Sequence, residues 1–414
     1  MRRLACLAAL IGLLLPAAAA HAQGNAAALK SSLASAMRRA GASSGAYVLD
    51  ATSGTVVYQS RASVQRILAS NTKLFTASAI LSKLGVDATF ATEVDSDGTT
   101  DPLTGVLQGN VYLHGGGDPT FGTSSFDNRY YGGEGATVQD LADELAAIGI
   151  TEIDGRVVGD ESRFDTLRGG PSSGYRVSID LGGPLSALSF NRGLANENGG
   201  AIQGNPPLFA AQQLTKALKA RHVRVKRSAS TGATPSDAKV LAGVDSPDLA
   251  ELVKLTLKES DNWFAETLLK DLAAASGHTG TTTAGAAAAM AFARRLAITV
   301  RMTDGSGLSR GDRASPKHVV KLLDRMRNRT AFQALFDALP IAGRDGTLDH
   351  RMRRGAAHNR CRAKTGTLSD VSALSGYCKS RSGDLIEFSL LMNHASVLGA
   401  RAIQDRMTNA IAAF

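Results

Sequence analysis

An α+β fold is predicted by three features of this sequence: β-type runs near both ends of the chain, helical patterns between them, and a long strand-rich stretch that interrupts the helices. The expected architecture is one antiparallel sheet, drawn from the two ends of the chain and covered by helices. Residues 89–245 are expected to be inserted into it as a separate strand-rich module. At 414 residues, 43% apolar and 20% charged, the chain is globular and long enough for two or three domains. Aromatic residues make up 5% and there is one tryptophan. So few flat side chains for stacking bases argue against a nucleic-acid partner.

Residues 1–22 read as a secretory signal. Arg2 and Arg3 form a basic start, residues 4–15 are an apolar run shorter than the roughly 20 residues a bilayer span needs, and Ala20-His21-Ala22 has the small-x-small cleavage pattern. An exported protein beginning near Gln23, with no integral membrane segment after cleavage, is expected. After an amphipathic stretch at 26–39, residues 45–50 and 55–59 flank a turn-rich 51–54 and read as a hairpin. Leu74, Phe75, Ala77, Ser78, Leu81 and Leu84 recur at helical spacing up to Gly85, with Ser70 at the N-terminal end. Within the module, strands are expected at 90–94, 109–113 and 153–158, with a helix near 138–148. Helices are predicted at 249–257 and 263–272; residues 273–293 read as an Ala/Gly/Thr-rich stretch, after which helix is expected to resume. Strands at 362–368, 373–378 and 385–392 and a helix from Leu398 close the chain. Residues 23–88 and 246–414 are thus expected to form the catalytic domain.

Cys361 and Cys378 stand at equal distances from Ser369-Asp370. A hairpin turning there makes them cross-strand neighbours, and export permits a disulfide; two free buried thiols are the alternative. The eight histidines show no HExxH-type spacing, so no metal and no cofactor are expected. The net charge is +9. Arginines at 344, 351, 353, 354, 360 and 362 read either as a solvated face or as a patch for an anionic envelope surface.

Three short patterns carry chemistry: Ser70-Asn-Thr-Lys73, Ser260-Asp-Asn262 and Lys364-Thr-Gly366, in that order. Each is weak alone, since S-x-x-K recurs at Ser236 to Lys239 and S-x-N at Ser189 to Asn191. Context separates them, because Ser236 follows Pro235 in a polar loop whereas Ser70 opens a helix with a sustained apolar face. Three residues along a helix return to one face, so Lys73 stands a turn from Ser70. A serine hydroxyl becomes a nucleophile when a base takes its proton. Lysine serves as that base once burial or a neighbouring cation such as Lys364 lowers its pKa. Ser260 and Asn262 offer a hydroxyl to relay a proton and an amide to hold a peptide group. Lys364, Thr365 and Thr367 can meet a carboxylate at a strand edge, where Gly366 leaves room for a substrate backbone. Taken singly, Ser70 also reads as a helix cap, Lys73 as a solvated face and residues 364–366 as a turn.

In this order the three motifs resemble those of the serine penicillin-recognising enzymes. Further segments are similar to one branch, the D-alanyl-D-alanine carboxypeptidase/endopeptidase family of the penicillin-binding protein 4 (S13 peptidase) type. These are residues 66–77, 107–119, 155–165, 184–188, 260–266, 304–310 and 363–368. The resemblance implies a β-lactamase/transpeptidase-like sheet, peptidoglycan stem peptides as substrates, β-lactams as inhibitors, and a place in the periplasm or cell envelope. It implies Ser70 as the acylated nucleophile, Lys73 as its base, Ser260 as proton relay and Asn262 as substrate-orienting amide. Lys364, Thr365, Gly366 and Thr367 form the carboxylate-binding edge, and the N–H groups of Ser70 and Thr367 the oxyanion hole. Ala69 stands where the family often has proline, and the Ser70 to Ser260 interval is short for this branch. Asp160 and Asp165 read as turn-forming aspartates, with contact to a diaminopimelate side chain as the alternative.

Three rivals are weighed against this reading. A class A β-lactamase needs a glutamate beyond the S-D-N motif, and none stands between Glu266 and Glu387. The nucleophile-elbow pattern G-x-S-x-G occurs at 41–45, 170–174 and 307–311, without a clear strand-before, helix-after setting. A non-turnover peptidoglycan- or β-lactam-binding protein has the fold but releases no D-alanine.

Overall fold

The computed structural model describes residues 14–414, with side chains from Ala26 onward. The first part of the expected signal, residues 1–13, lies outside the described residues. In chain order the principal elements are α1 (Leu14–Arg39), β1 (Ser44–Asp50), β2 (Thr55–Ser60), α2 (Thr72–Leu84), β3 (Ala91–Ser96), β4 (Val111–Gly115), α3 (Val138–Ala147), β5 (Val157–Asp160) and α4 (Pro206–Ala220). They continue with β6 (Ser230–Thr231), β7 (Lys239–Asp245), α5 (Leu249–Lys258), α6 (Asn262–Ala275), α7 (Thr282–Arg295), α8 (Pro316–Arg327), β8 (Cys361–Leu368), β9 (Val371–Lys379), β10 (Leu385–Asn393) and α9 (Val397–Ala413). Among the described residues no helix is long and apolar enough to cross a membrane.

Two compact units are present. The smaller takes residues up to Arg66, Ala314–Asp324 and Pro340–Phe414; the larger takes Ile67–Arg313 and Arg325–Leu339. In the smaller unit the two ends of the chain build one antiparallel sheet in the order β8-β9-β10-β1-β2. Alternation along β1 sends Ala46 and Val48 to the same face as Phe388 and Leu390 of β10, and α1 and α9 cover that face with Leu29, Leu33, Met407 and Ile411. The terminal hairpin turns at Ser369-Asp370. Leu368 pairs with Val371 and Cys361 with Cys378, and the two cysteines are disulfide-bonded.

In the larger unit α2 packs on α5, α6 and α7. Its apolar positions Leu74, Phe75, Ile80 and Leu81 are all buried, and α6 contributes Trp263, Phe264 and Leu268. Such a helix, apolar around much of its circumference, is stable only inside a bundle. Gly85 ends α2 at φ +92°, a conformation glycine adopts without strain. Between Ala91 and Asp245 lies a five-stranded sheet in the order β6-β5-β4-β3-β7, with a core of its own running from Val94 to Ala242. The single strand expected at 153–158 is two, Glu152–Ile153 and β5. Gly155 between them lies so close to the Gly109 carbonyl that a β-carbon there would clash. Helices α4 and α8 are additions to the sequence reading, and α7 forms inside the Ala/Gly/Thr-rich stretch where helix is expected only after 293. Its N-terminus is capped by Thr281, which accepts from the Ala284 N–H. Helix α4 starts with Pro206 after Asn205, whose side chain accepts from the Leu208 N–H.

Candidate active site

Ser70 lies in a single 3-10 turn, Ala69–Asn71, that leads into α2, so nucleophile candidate and helix are separated by less than one turn. Ala69 is held at φ +47°, a left-handed conformation that costs energy for a residue with a β-carbon. Its surroundings over-determine it. Gly307, at φ +83°, packs so tightly on the Ala69 carbonyl and the Ser70 N–H that any side chain at 307 would collide with them. The loop 303–312 therefore moulds the peptide that presents Ser70.

Lys73 is fully buried, and its ammonium spends its donors on three neutral acceptors: Ser70 Oγ at 3.1 Å, Asn262 Oδ1 at 2.6 Å and the Ser306 carbonyl at 2.7 Å. Burial pushes its pKa down to about 8, against the pull of Asp261, Asp304, Glu266 and Asp312. A lysine so placed is a neutral amine about a tenth of the time at pH 7, far more often than an ordinary lysine, and in that form it can take the proton of the serine hydroxyl it touches.

Asn262 opens α6, and Asp261 before it is the N-cap, accepting from the Phe264 N–H at 3.0 Å. Asp261 is also bound by Arg192, whose Nη2 donates to Oδ1 at 2.9 Å, so the N-terminus of α6 is fixed from two sides. The Asn262 amide donates to the Asp180 carbonyl at 2.7 Å. Ser260, two residues earlier and partly exposed, has φ +61°. Ser70, Lys73 and Asn262 are thus joined by hydrogen bonds, while Ser260 is tied to them through the short backbone link to Asn262.

The third motif belongs to the smaller unit. Lys364 is fully buried on β8 and donates to the Thr365 carbonyl at 3.0 Å. Thr365 Oγ1 donates to Thr347 Oγ1 at 2.8 Å, Gly366 pairs with Ala373, and Thr367 is exposed, its hydroxyl accepting from Arg401 at 3.1 Å. Asp160 and Asp165 are both engaged within the protein. Asp160 accepts from the Ser162 and Thr234 N–H groups and contacts His114. Asp165 holds the Leu167 N–H and the Lys270 ammonium. Among the described residues no group of His, Cys, Asp or Glu is arranged to hold a metal.

The sequence reading gave no role to Ser306, whose carbonyl binds Lys73, or to Glu266, whose Oε1 accepts from the N–H groups of Gly305 at 2.9 Å and Ser306 at 2.8 Å. For Glu266 a signal existed. It stands four residues after Asn262 on the same helix, hence on the same face. Nothing local marks a backbone carbonyl.

A serine in contact with a buried lysine at the head of a helix fits the class of serine hydrolases that act through an ester on the serine. Within that class the chain belongs to the D-Ala-D-Ala carboxypeptidase 3 (S13) family, whose profile matches residues 25–187 and 197–414. It is 29% identical to a D-alanyl-D-alanine carboxypeptidase of Actinomadura sp. (strain R39), over 90% of this chain and 82% of that one. Its fold matches penicillin binding protein 4 of Haemophilus influenzae at a TM-score of 0.76 and 21% identity, covering 91% of this chain and 97% of that one. A penicillin G-acylated predatory endopeptidase of Bdellovibrio bacteriovorus matches at a TM-score of 0.54 and 18% identity, covering 87% and 90%.

Proposed function

We propose that this S13-family carboxypeptidase removes the terminal D-alanine of peptidoglycan stem peptides through an ester on Ser70. Lys73 takes the hydroxyl proton as Ser70 Oγ bonds to the carbonyl carbon of the penultimate D-alanine. The peptide C–N bond then breaks and the departing amine receives a proton by way of Ser260. Water hydrolyses the ester and restores Ser70. Asn262 orients the acyl side of the substrate, and the Ser70 and Thr367 N–H groups take the developing oxyanion. Lys364, Thr365 and Thr367, with Gly366 leaving space between them, bind the leaving residue's carboxylate. Cleavage of D-alanyl–diaminopimelate cross-links uses the same steps with a larger leaving group. β-Lactams inhibit by forming a slowly hydrolysed ester on the same serine.

The observation that carries this reading is the buried Lys73 ammonium 3.1 Å from Ser70 Oγ with its other donors on neutral groups. Residues 1–22 act as an export signal to the periplasm or cell envelope. Residues 89–245 form an inserted module, a reading supported by their separate sheet and core. A β-lactamase alternative draws no support from Glu266, whose bonded oxygen is committed to Gly305 and Ser306.

Intact-mass measurement of residues 23–414 after incubation with benzylpenicillin tests the proposal. One drug mass on the Ser70 peptide, absent in Ser70→Ala, is expected, together with D-alanine release from a stem-peptide mimic. An unmodified protein beside intact drug overturns the assignment of Ser70, and an unmodified protein beside hydrolysed drug favours the β-lactamase.

A further inference from the structure

We propose that Glu266 is a positioning residue for the acylation step: through Gly305 and Ser306 it fixes the carbonyl that holds the Lys73 ammonium, and its charge governs how readily Lys73 releases its proton. The proposal rests on the Ser70–Lys73 reading above.

The geometry is a short relay. Glu266 is 1% exposed, and Oε1 accepts two consecutive backbone N–H groups, those of Gly305 and Ser306. The carbonyl of the same Ser306 accepts from Lys73 at 2.7 Å. The carboxylate gathers the N–H groups of two successive peptides and so fixes the backbone at Ser306 from its N-terminal side. The next peptide, which carries the Ser306 carbonyl presented to the lysine, has its own N–H held by Asp304. Gly305 admits no substitute, because a β-carbon would meet the Ala265 carbonyl. The same loop is anchored beyond Ser306 by Asp304, which accepts from the N–H groups of Gly307 and Ser309 at 2.7 Å each. Asp312 secures its start by accepting from the Thr303 N–H at 2.6 Å.

Three buried carboxyl groups are therefore crowded beneath one buried lysine. Asp304 and Asp312 come from the loop, Glu266 from α6, and Asp261 faces the same lysine from the N-cap of α6. Lys270, one turn further along α6, is a cation that also lies near Glu266. Burial and the neighbouring Asp304 raise the Glu266 pKa to about 7, close to the value of about 8 for Lys73. After Asp261 and Asp304, an ionised Glu266 adds to the pull that keeps the proton on Lys73, and a neutral one withdraws that share of it.

The charge and the hydrogen bonds are separable. Glu266→Gln retains an oxygen that can accept from Gly305 and Ser306 but removes the charge. Glu266→Asp retains the charge but withdraws the oxygen by one methylene. The rate of acylation by benzylpenicillin would be followed by mass spectrometry from pH 5 to 10 for wild type and both variants, with unfolding midpoints measured alongside. Removing a negative charge near Lys73 destabilises its ammonium, so in Glu266→Gln the acidic limb moves to lower pH, by about one unit. In Glu266→Asp the limb stays and the plateau rate falls about tenfold, because the carbonyl no longer holds the amine in line with Ser70.

A Glu266→Gln profile that superimposes on wild type overturns the electrostatic half of the proposal, and a wild-type plateau in Glu266→Asp overturns the positioning half. If Glu266→Gln does not unfold cooperatively, Glu266→Asp alone decides on positioning. Failure of the underlying reading looks different: wild type itself then gives no Ser70 adduct at any pH.

Discussion

Two lysines of the larger unit are fully buried, Lys73 at the head of α2 and Lys270 on α6, and burial lowers the pKa of both. Their partners differ. Lys270 is bonded directly to the Asp165 carboxylate at 2.5 Å, donates to the Leu167 carbonyl and lies 5.7 Å from the centre of the Phe164 ring. Lys73 touches a hydroxyl, an amide oxygen and a backbone carbonyl, and its carboxylates act on it without a direct hydrogen bond. A direct counter-charge in a low-dielectric setting locks the proton on; neutral acceptors satisfy the same donors and leave the proton exchangeable. The structural lysine and the candidate base are thus distinguished by what they are bonded to, since depth of burial is the same.

The largest effect should come from testing the Lys73 side of that contrast. Lys73→Met removes the base and should lower the acylation rate about 10³-fold, while Lys270→Met leaves the rate of the folded fraction within about threefold. In the wild type, only the neutral amine can take the Ser70 proton. The rate should therefore climb about tenfold per pH unit below about 8 and level off above it. Stopped acylation reactions sampled across pH measure both, and a pH-independent rate from 6 to 9 would contradict the role assigned to Lys73.

A smaller effect, and of another kind, belongs to Lys270. Asp165→Asn strips the counter-charge from a buried ammonium and should cost about 3 kcal/mol of stability, read from denaturant unfolding. The acidic limb of acylation should stay near 8. If instead stability holds and the limb moves, the two lysines are coupled and the contrast between them fails.

Spacing made the reactive pair visible in the sequence. Ser70 and Lys73 come together because three residues along a helical stretch share a face, and the terminal hairpin was readable because its cysteines are placed evenly about a turn. Asn262 was readable from its Ser260-Asp-Asn motif between two predicted helices, but its place at the start of α6 behind a capping aspartate was not. Glu266, Ser306 and Gly307 are a different case. Their contacts join α6 and loop 303–312 to the turn before α2, over sequence distances that no local periodicity spans. Residues 304–310 carried a family likeness in the sequence, but the part this loop plays depends on a carbonyl that every residue has. Asp165 shows the reverse: its turn-forming role was legible from its surroundings, whereas its ion pair with Lys270 depends on tertiary packing.

Arg401 offers the finest test, because it bears on the third motif, where Lys364 is another buried lysine bonded to a neutral carbonyl. Arg401, on α9, donates to Thr367 Oγ1 at 3.1 Å. A hydroxyl has one proton to give and two lone pairs to fill. With Arg401 occupying a lone pair, the Thr367 proton is free to point at a substrate carboxylate, and the guanidinium adds positive charge beside it. Arg401→Ala should therefore raise KM for a D-Ala-D-Ala peptide about threefold to tenfold, with kcat held within about twofold, as expected for an exposed charge-assisted contact of about 1 kcal/mol. The same substitution should have no effect on a substrate whose C-terminus is amidated, since there is no carboxylate for the hydroxyl and guanidinium to meet. A loss in kcat with KM unchanged would place Arg401 on the path of the reaction, and an equal loss for the amidated peptide would make it a scaffold of β8.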